Sequence, residues 1–148
     1  MNQTVRIPRP LADEMIEHCL AGRPNEACGI LAAAGEQVVK VFPMTNAESS
    51  PVRYALDPRE QLAVYRRIDE DEWQLGAVFH SHTRTEAYPS PTDVRLAAED
   101  VPYVIVSLVS EPPDIRAFRI LKKNWTDPTG DVSEIPVSVL DQAGDVQA

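Results

Sequence analysis

Apolar residues recur along the chain at two spacings, and each spacing predicts a different kind of element. Recurrence at helical spacing predicts helices over 11–21, 58–71 and 91–99. Alternating or continuous apolar stretches predict strands over 27–34, 37–43, 54–56, 75–82, 103–110, 115–121 and 132–140. In the second helix, Leu62, Tyr65 and Ile68 are predicted to share the buried face.

Two of the predicted helices begin with the same local pattern. Asp57 precedes Pro58 and Ser90 precedes Pro91, as expected of an N-cap residue followed by proline at the first helical position. Asp93 then stands three residues after Ser90, which resembles a capping box. This pattern predicts where both helices start.

The order of these elements predicts the fold class. Helices alternate with strands, and some strands adjoin through short turns, at 35–36 and 111–114. We therefore expect an α/β (mixed α+β) fold with a central mixed β-sheet flanked by helices. The chain has 148 residues, so 1–148 is predicted to form a single domain, with 141–148 as a loose tail. Pro136 is expected to weaken the last strand, at an edge of the sheet.

Composition limits the partners that the chain can bind. The apolar fraction of 43% and the charged fraction of 25% are ordinary for a globular protein. The formal net charge is −9, and the acidic residues are dispersed along the chain. Such a surface repels phosphate groups, so we expect neither a nucleic-acid partner nor an anionic-membrane partner.

The termini and the cysteines predict a cytoplasmic protein. Residues 1–10 lack the apolar core of a signal peptide, and no later stretch approaches ~18 consecutive apolar residues. Cys19 and Cys28 are the only cysteines, and in a cytoplasmic domain they are expected to be free thiols.

Candidate chemistry is concentrated at the end of the 75–82 strand. Because side chains alternate across a strand, His80 and His82 share one face and Ser81 points to the other. Two imidazoles at a strand end can bind one metal ion, and Asp93 can supply a third ligand. Three protein ligands with one open position describe a catalytic zinc site. The Ser90–Asp93 segment alone favours a plain capping box, but both roles can hold together, because the third helical side chain points back beyond the helix start, where the histidines lie.

These residues match the motif of a known family. His80-x-His82, seven residues, Ser90, two residues and Asp93 resemble the JAMM motif of the MPN+ metallopeptidases. The glutamate that the family requires upstream corresponds to Glu26. The chain is most similar to the small prokaryotic members that act on sulfur-carrier proteins, of the CysO–cysteine peptidase type. That similarity rests on 26–29, 43–48 and 80–90.

The resemblance implies a fold, a cofactor and a role for each motif residue. The fold would be the MPN/JAB1, cytidine-deaminase-like architecture. His80, His82 and Asp93 would hold one Zn²⁺ ion. Glu26 would take a proton from the attacking water and pass it to the leaving amine. Ser90 would donate a hydrogen bond to the oxyanion.

The resemblance also implies a substrate. It would be a small ubiquitin-like sulfur carrier ending in Gly-Gly, cleaved after the diglycine to release cysteine or a C-terminal extension. An isopeptidase acting on other ubiquitin-like conjugates and a non-catalytic MPN binding module are the alternatives, and a homodimer is left open. A zinc deaminase is disfavoured because its His-x-Glu and Pro-Cys-x-x-Cys segments are absent from the sequence.

Four further residues near these motifs admit two readings each. Cys28 is predicted to pack in the core, with a redox-sensitive thiol as the alternative. Asn46 is predicted either to shape its loop or to contact the substrate backbone. Arg53 and Arg84 are predicted to be surface charges or to steer an acidic carrier. His18 is expected to be a solvated helix residue.

Overall fold

An eight-stranded mixed sheet and three helices form the domain in the computed structural model, which describes residues 3–141. The strands are β1 (Val5–Pro8), β2 (Cys28–Ala34), β3 (Gln37–Met44), β4 (Gln74–His82), β5 (Tyr103–Ser107), β6 (Asp114–Leu121), β7 (Asp131–Ile135) and β8 (Val137–Leu140). The helices are α1 (Arg9–Ala21), α2 (Pro58–Glu70) and α3 (Pro91–Leu96). The strand order is β7-β6-β5-β4-β2-β3-β1-β8.

The centre of the sheet is formed by β2 and β4, which pair antiparallel. β2 also forms a hairpin with β3, and Gly35 turns the chain between them with φ +64°, a conformation that favours glycine. β4 pairs in parallel with β5, and β5 continues through β6 into β7 by antiparallel pairing. The predicted mixed sheet is confirmed.

The two edge strands are neighbours in the sequence. Only Pro136 separates β7 from β8, although these strands lie at opposite ends of the strand order. The sheet therefore curls until its edges approach each other. The prediction of one strand over 132–140 is wrong, because proline has no N–H for the ladder and the chain changes partner there.

Each face of the sheet is covered by different helices. Met15 and Cys19 of α1 pack in a core with Phe79, on the face that also receives Ser81. On the opposite face, Ile68 of α2 and Val94 of α3 are buried against the sheet. His80 and His82 belong to this second face, so α2 and α3 flank the candidate site.

Several predicted boundaries differ from the structure. β1 lies before the first predicted helix, in a stretch for which no strand is predicted from the sequence. The 54–56 segment is not a strand, because only one bridge joins Asn46 and Leu56. α3 ends at Leu96 rather than at 99, and β5 ends at 107 rather than at 110. Leu62 is 52% exposed, because α2 turns Val64 and Ile68 towards the sheet instead.

Two expectations concern segments outside this core. Residues 142–148 of the predicted tail lie outside the described residues. Within residues 3–141, every helix is too short or too polar to cross a membrane.

Candidate metal centre

The end of β4 places both histidines in the protein interior. His80 pairs in register with Cys28 of β2 and with Ile105 of β5. His80 is 1% exposed and His82 is 3% exposed. Ser81 points to the other face, where its Oγ accepts a hydrogen bond of 2.8 Å from the buried Ala27 N–H. The alternation predicted from the sequence is confirmed.

The structure brings His80, His82 and Asp93 together. The Nε2 atoms of His80 and His82 lie 3.1 Å apart. Oδ2 of Asp93 lies 3.1 Å from Nε2 of His80 and 3.0 Å from Nε2 of His82. All three residues are buried, and each turns one potential ligand atom towards the others. Two imidazole nitrogens and a carboxylate oxygen are a common ligand set for transition metals.

The hydrogen bonding of His82 shows which of its nitrogens faces the cluster unprotonated. Its Nδ1 lies 2.8 Å from the carbonyl oxygen of Glu86, which can only accept, so Nδ1 carries the hydrogen. In the neutral ring the lone pair is then on Nε2, facing the ionised oxygen of Asp93. Only a proton or a cation between these atoms relieves their repulsion. The donor set therefore fits a metal site.

Asp93 takes part in the helix cap and in the cluster at the same time. The Oγ of Ser90 accepts from the Asp93 N–H at 3.0 Å, and Oδ2 of Asp93 accepts from the Ser90 N–H at 2.9 Å. The predicted capping box is present, and the same Oδ2 also faces both imidazoles. Burial alone would raise the pKa of Asp93, but the attraction of His80 lowers it, as do hydrogen bonds from the two imidazoles when their Nε2 atoms carry a proton. Asp93 is consequently an anion under ordinary conditions.

Glu26 lies two residues before the start of β2, beside the end of β4. Its side chain is on the same face as Cys28, because residues 26 and 28 alternate with 27, and it is 5% exposed. Its Oε1 has no hydrogen-bond partner within the described part of the chain. Burial, followed by repulsion from Asp93, raises the pKa of Glu26 to about 8. Burying a carboxyl without a hydrogen-bond partner costs free energy, and the neutral, protonated form lowers that cost.

Ser90 retains a free donor. Its Oγ accepts the capping bond from Asp93, and its hydroxyl hydrogen has no acceptor among residues 3–141. A cavity of about 250 Å³ opens beside Asp93, bordered mainly by apolar and aromatic side chains, among them Tyr54, Leu56, Leu96 and Tyr103. Among the residues that border this cavity, only Asp93 belongs to the cluster.

The other candidate residues have mainly structural roles. Burial raises the pKa of the Cys28 thiol to about 12, which favours packing over redox chemistry, and both cysteines are free. The Asn46 side chain makes all its hydrogen bonds to backbone groups, which favours the loop role. His18 is half-buried rather than solvated, because its Nε2 lies 3.0 Å from the Cys28 carbonyl oxygen. Arg53 forms an exposed ion pair with Glu48.

Sequence patterns alone do not point to two contacts of the cluster. The acceptor for His82 is the main-chain carbonyl of Glu86. Any residue has such a carbonyl, so the residue type at position 86 does not reveal this contact. The ring of Tyr54 stacks on His80, but it comes from a loop with no regular periodicity. Only the fold brings these groups to the histidines.

Comparison with known proteins identifies relatives over most of the chain. The chain is 42% identical over 137 residues to the CysO-cysteine peptidase of Mycobacterium tuberculosis, covering 89% of this chain and 88% of that protein. It is 37% identical over 115 residues to the probable TtuB-protein conjugate cleaving protease of Thermus thermophilus, covering 77% and 74%. It is 30% identical over 99 residues to the desampylase of Pyrococcus furiosus, covering 67% and 69%. The named relatives are peptidases.

Solved structures support the same fold. A protein from Desulfitobacterium hafniense superposes with a TM-score of 0.80 at 32% identity, covering 93% of both chains. A JAB1/MPN domain protein from Archaeoglobus fulgidus superposes with a TM-score of 0.55 at 15% identity, covering 90% of this chain and 98% of that one. Residues 8–121 match the family model described as prokaryotic homologs of the JAB domain. The chain therefore belongs to the prokaryotic JAB-domain family, to which the JAMM-like spacing of its motif also points.

Proposed function

We propose that this chain is a zinc-dependent peptidase that hydrolyses the peptide bond after the C-terminal Gly-Gly of a small ubiquitin-like sulfur-carrier protein, releasing cysteine or a C-terminal extension. The observation that carries the proposal is the convergence of His80, His82 and Asp93 on one point, with the partnerless carboxyl of Glu26 on the same face. The names of the relatives, which include a CysO-cysteine peptidase, supply the substrate class.

His80 and His82, through Nε2, and Asp93, through Oδ2, would hold the zinc ion. When bound, zinc polarises a carbonyl group and lowers the pKa of water from ~15.7 towards ~7. Two features of the protein favour the binding of a cation. Asp93 is kept anionic, and the Glu86 carbonyl fixes the tautomer of His82. The buried position of both imidazoles keeps bulk water away from the reacting carbonyl.

Glu26 would act as the general base and then as the general acid. Its carboxylate takes a proton from the attacking water at one oxygen and delivers it to the nitrogen of the leaving amine. Burial favours the protonated form, so the carboxyl can hold the proton between the two steps, and a bound cation would favour the carboxylate that takes it. A solvated glutamate would lose the proton to bulk water.

Ser90 would donate its free hydroxyl hydrogen to the oxygen of the scissile carbonyl as negative charge develops there. The capping bond from Asp93 N–H fixes Oγ, so the donor is positioned before the substrate arrives. Removing such a donor costs about 2.7–4 kcal/mol of transition-state stabilisation in comparable sites. Ser90 thus connects the start of α3 to the reaction.

Two glycines before the scissile bond suit the burial of the histidines. A tail without side chains would need the least space beside histidines that are almost fully enclosed. The carrier tail would lie extended, as a strand added to an edge does. The free thiols of Cys19 and Cys28 support placing the activity in the cytoplasm.

The test is hydrolysis of a carrier protein that ends in Gly-Gly-Cys, followed by mass spectrometry of the released amino acid. Glu26→Gln should lower turnover about 10²- to 10⁴-fold while zinc stays bound. Asp93→Asn should lose both zinc and turnover. Wild-type turnover by Glu26→Gln would remove Glu26 from the mechanism, and a zinc-loaded wild type that leaves this carrier intact would refute the substrate.

A conjugate-cleaving isopeptidase is the second candidate, favoured by the relatives from Thermus and Pyrococcus. It uses the same chemistry on a lysine-linked conjugate. Parallel assays of a carrier–cysteine adduct and of a lysine-linked conjugate distinguish the two. A non-catalytic binding module is disfavoured by the partnerless Glu26 carboxyl, which such a module would have no reason to bury.

A further inference from the structure

The two histidines of the cluster are held in different ways. Nδ1 of His82 lies 2.8 Å from the Glu86 carbonyl oxygen, whereas Nδ1 of His80 is buried without a hydrogen-bond partner among residues 3–141. A histidine that binds a metal usually donates from its second ring nitrogen, and that bond fixes the plane of the ring. His80 lacks this bond, and the χ2 torsion of histidine has only broad minima. Packing must therefore fix its plane.

The ring of Tyr54 lies against the ring of His80 in a stacked arrangement. The two ring centroids are 4.3 Å apart, and the planes differ by 21°. Rotation of the imidazole about χ2 would drive its edge into the phenol ring. Tyr54 thus opposes the motion that would turn Nε2 of His80 away from Asp93.

Tyr54 is in turn fixed by its loop. Nδ2 of Asn46 donates to the Arg53 carbonyl oxygen at 3.1 Å, and Oδ1 of Asn46 accepts from the Ala55 N–H at 3.1 Å. These two bonds clamp the residues on both sides of Tyr54. The same Nδ2 donates to the carbonyl oxygen of Glu26 at 2.9 Å. Asn46 therefore ties the loop that carries Tyr54 to the residue beside the cluster.

We propose that Tyr54 is a positioning residue of the metal site, whose ring fixes the plane of His80 in place of the hydrogen bond that Nδ1 lacks. This inference rests on the proposed zinc site, and it adds a residue outside the motif. The role belongs to the aromatic ring and not to the hydroxyl group, because it is the ring that contacts the imidazole. Phenylalanine should therefore replace tyrosine, and a non-aromatic side chain should not.

The experiment measures the zinc affinity of the full-length protein by competition with a chromogenic chelator. Tyr54→Phe keeps the aromatic ring, while Tyr54→Met and Tyr54→Leu remove it. Two non-aromatic variants are made so that the test can still be done if one of them does not fold. Leu56→Ala, which alters the same cavity outside the stacked pair, is the control. Thermal melting verifies that each variant is folded.

The non-aromatic variants should bind zinc about 10-fold more weakly or worse, the size of effect known for residues that orient metal ligands. Tyr54→Phe and Leu56→Ala should stay within about twofold of the wild type. Unchanged affinity in the folded non-aromatic variants, or an equal loss in Tyr54→Phe, would overturn the inference. A wild type that binds no zinc would instead contradict the proposed function, so the two failures are distinguishable.

Discussion

Ser81 gives the sharpest test of how β4 and Glu26 are held together. Its Oγ accepts the Ala27 N–H at 2.8 Å, both residues are buried, and Ala27 is the neighbour of Glu26. Ser81→Ala leaves that N–H without an acceptor, which costs about 1–3 kcal/mol. For 148 residues the unfolding entropy is about 0.3 kcal/mol/K, so the melting temperature should fall by roughly 3–10 °C.

The assay is calorimetry of the metal-free protein, together with turnover of the zinc-loaded protein at a temperature where both variants are folded. Turnover should fall as well, because the main chain beside Glu26 loses an anchor. Ser133→Ala, the same substitution at an exposed position of β7, is the control and should leave both quantities unchanged. A melting temperature for Ser81→Ala within 1 °C of the control would show that the hydrogen bond from the Ala27 N–H to Ser81 Oγ does not stabilise the fold.

Three more perturbations test separate parts of the structure. Gly29→Ala would place a Cβ 2.4 Å from the Phe42 carbonyl oxygen and 2.4 Å from the Phe79 ring, so it should destabilise the fold by about 1–3 kcal/mol or more, measured by urea unfolding. Lys122→Met removes an ammonium group that donates to three carbonyl oxygens at the end of α3 at 3.0–3.2 Å. It should lower the free energy of unfolding by about 1.5–3 kcal/mol and weaken zinc binding, because Asp93 lies on the same helix. Glu26→Gln should remove one source of pH dependence from the stability of the metal-free protein. Folding raises the pKa of Glu26 from 4.5 to about 8, so its contribution to stability is full below pH 4.5 and is lost as the pH rises to 8.

Each of the three perturbations has a result that would contradict it, and Lys122 also has a matched control. An unfolding midpoint unchanged by Gly29→Ala would show that β2 and Phe79 can separate at no cost. Lys123→Met is the matched control for Lys122, since Lys123 is exposed, and equal effects of the two would exclude the role given to Lys122. For Glu26, the wild type should lose stability relative to Glu26→Gln between pH 5 and pH 8, and a constant difference would contradict the raised pKa.

The motif residues were predictable because short-range rules place them. Alternation along β4 puts His80 and His82 on one face whatever the rest of the fold does. The start of α3 was readable from Ser90 and Pro91, and the capping geometry then points Asp93 back beyond the helix. Family resemblance added Glu26, which no local pattern distinguishes from the other acidic residues.

The missed features depend on contacts between distant segments. β1 is four residues long and forms because β3 and β8 offer it partners on both sides, which no local periodicity reveals. The sequence predicts that Pro136 weakens the last strand. That the chain passes there from one edge of the sheet to the other depends on how the whole sheet curls. The stacking of Tyr54 on His80 likewise depends on the course of a loop.

The zinc content of the purified protein decides whether His80, His82 and Asp93 form a metal site. Elemental analysis of the purified protein should give close to one zinc ion per chain, and His82→Ala should lose it while the protein stays folded. A wild-type protein that contains no zinc and takes none up on reconstitution, with His82→Ala behaving identically, would contradict the assignment of His80, His82 and Asp93 as a metal site.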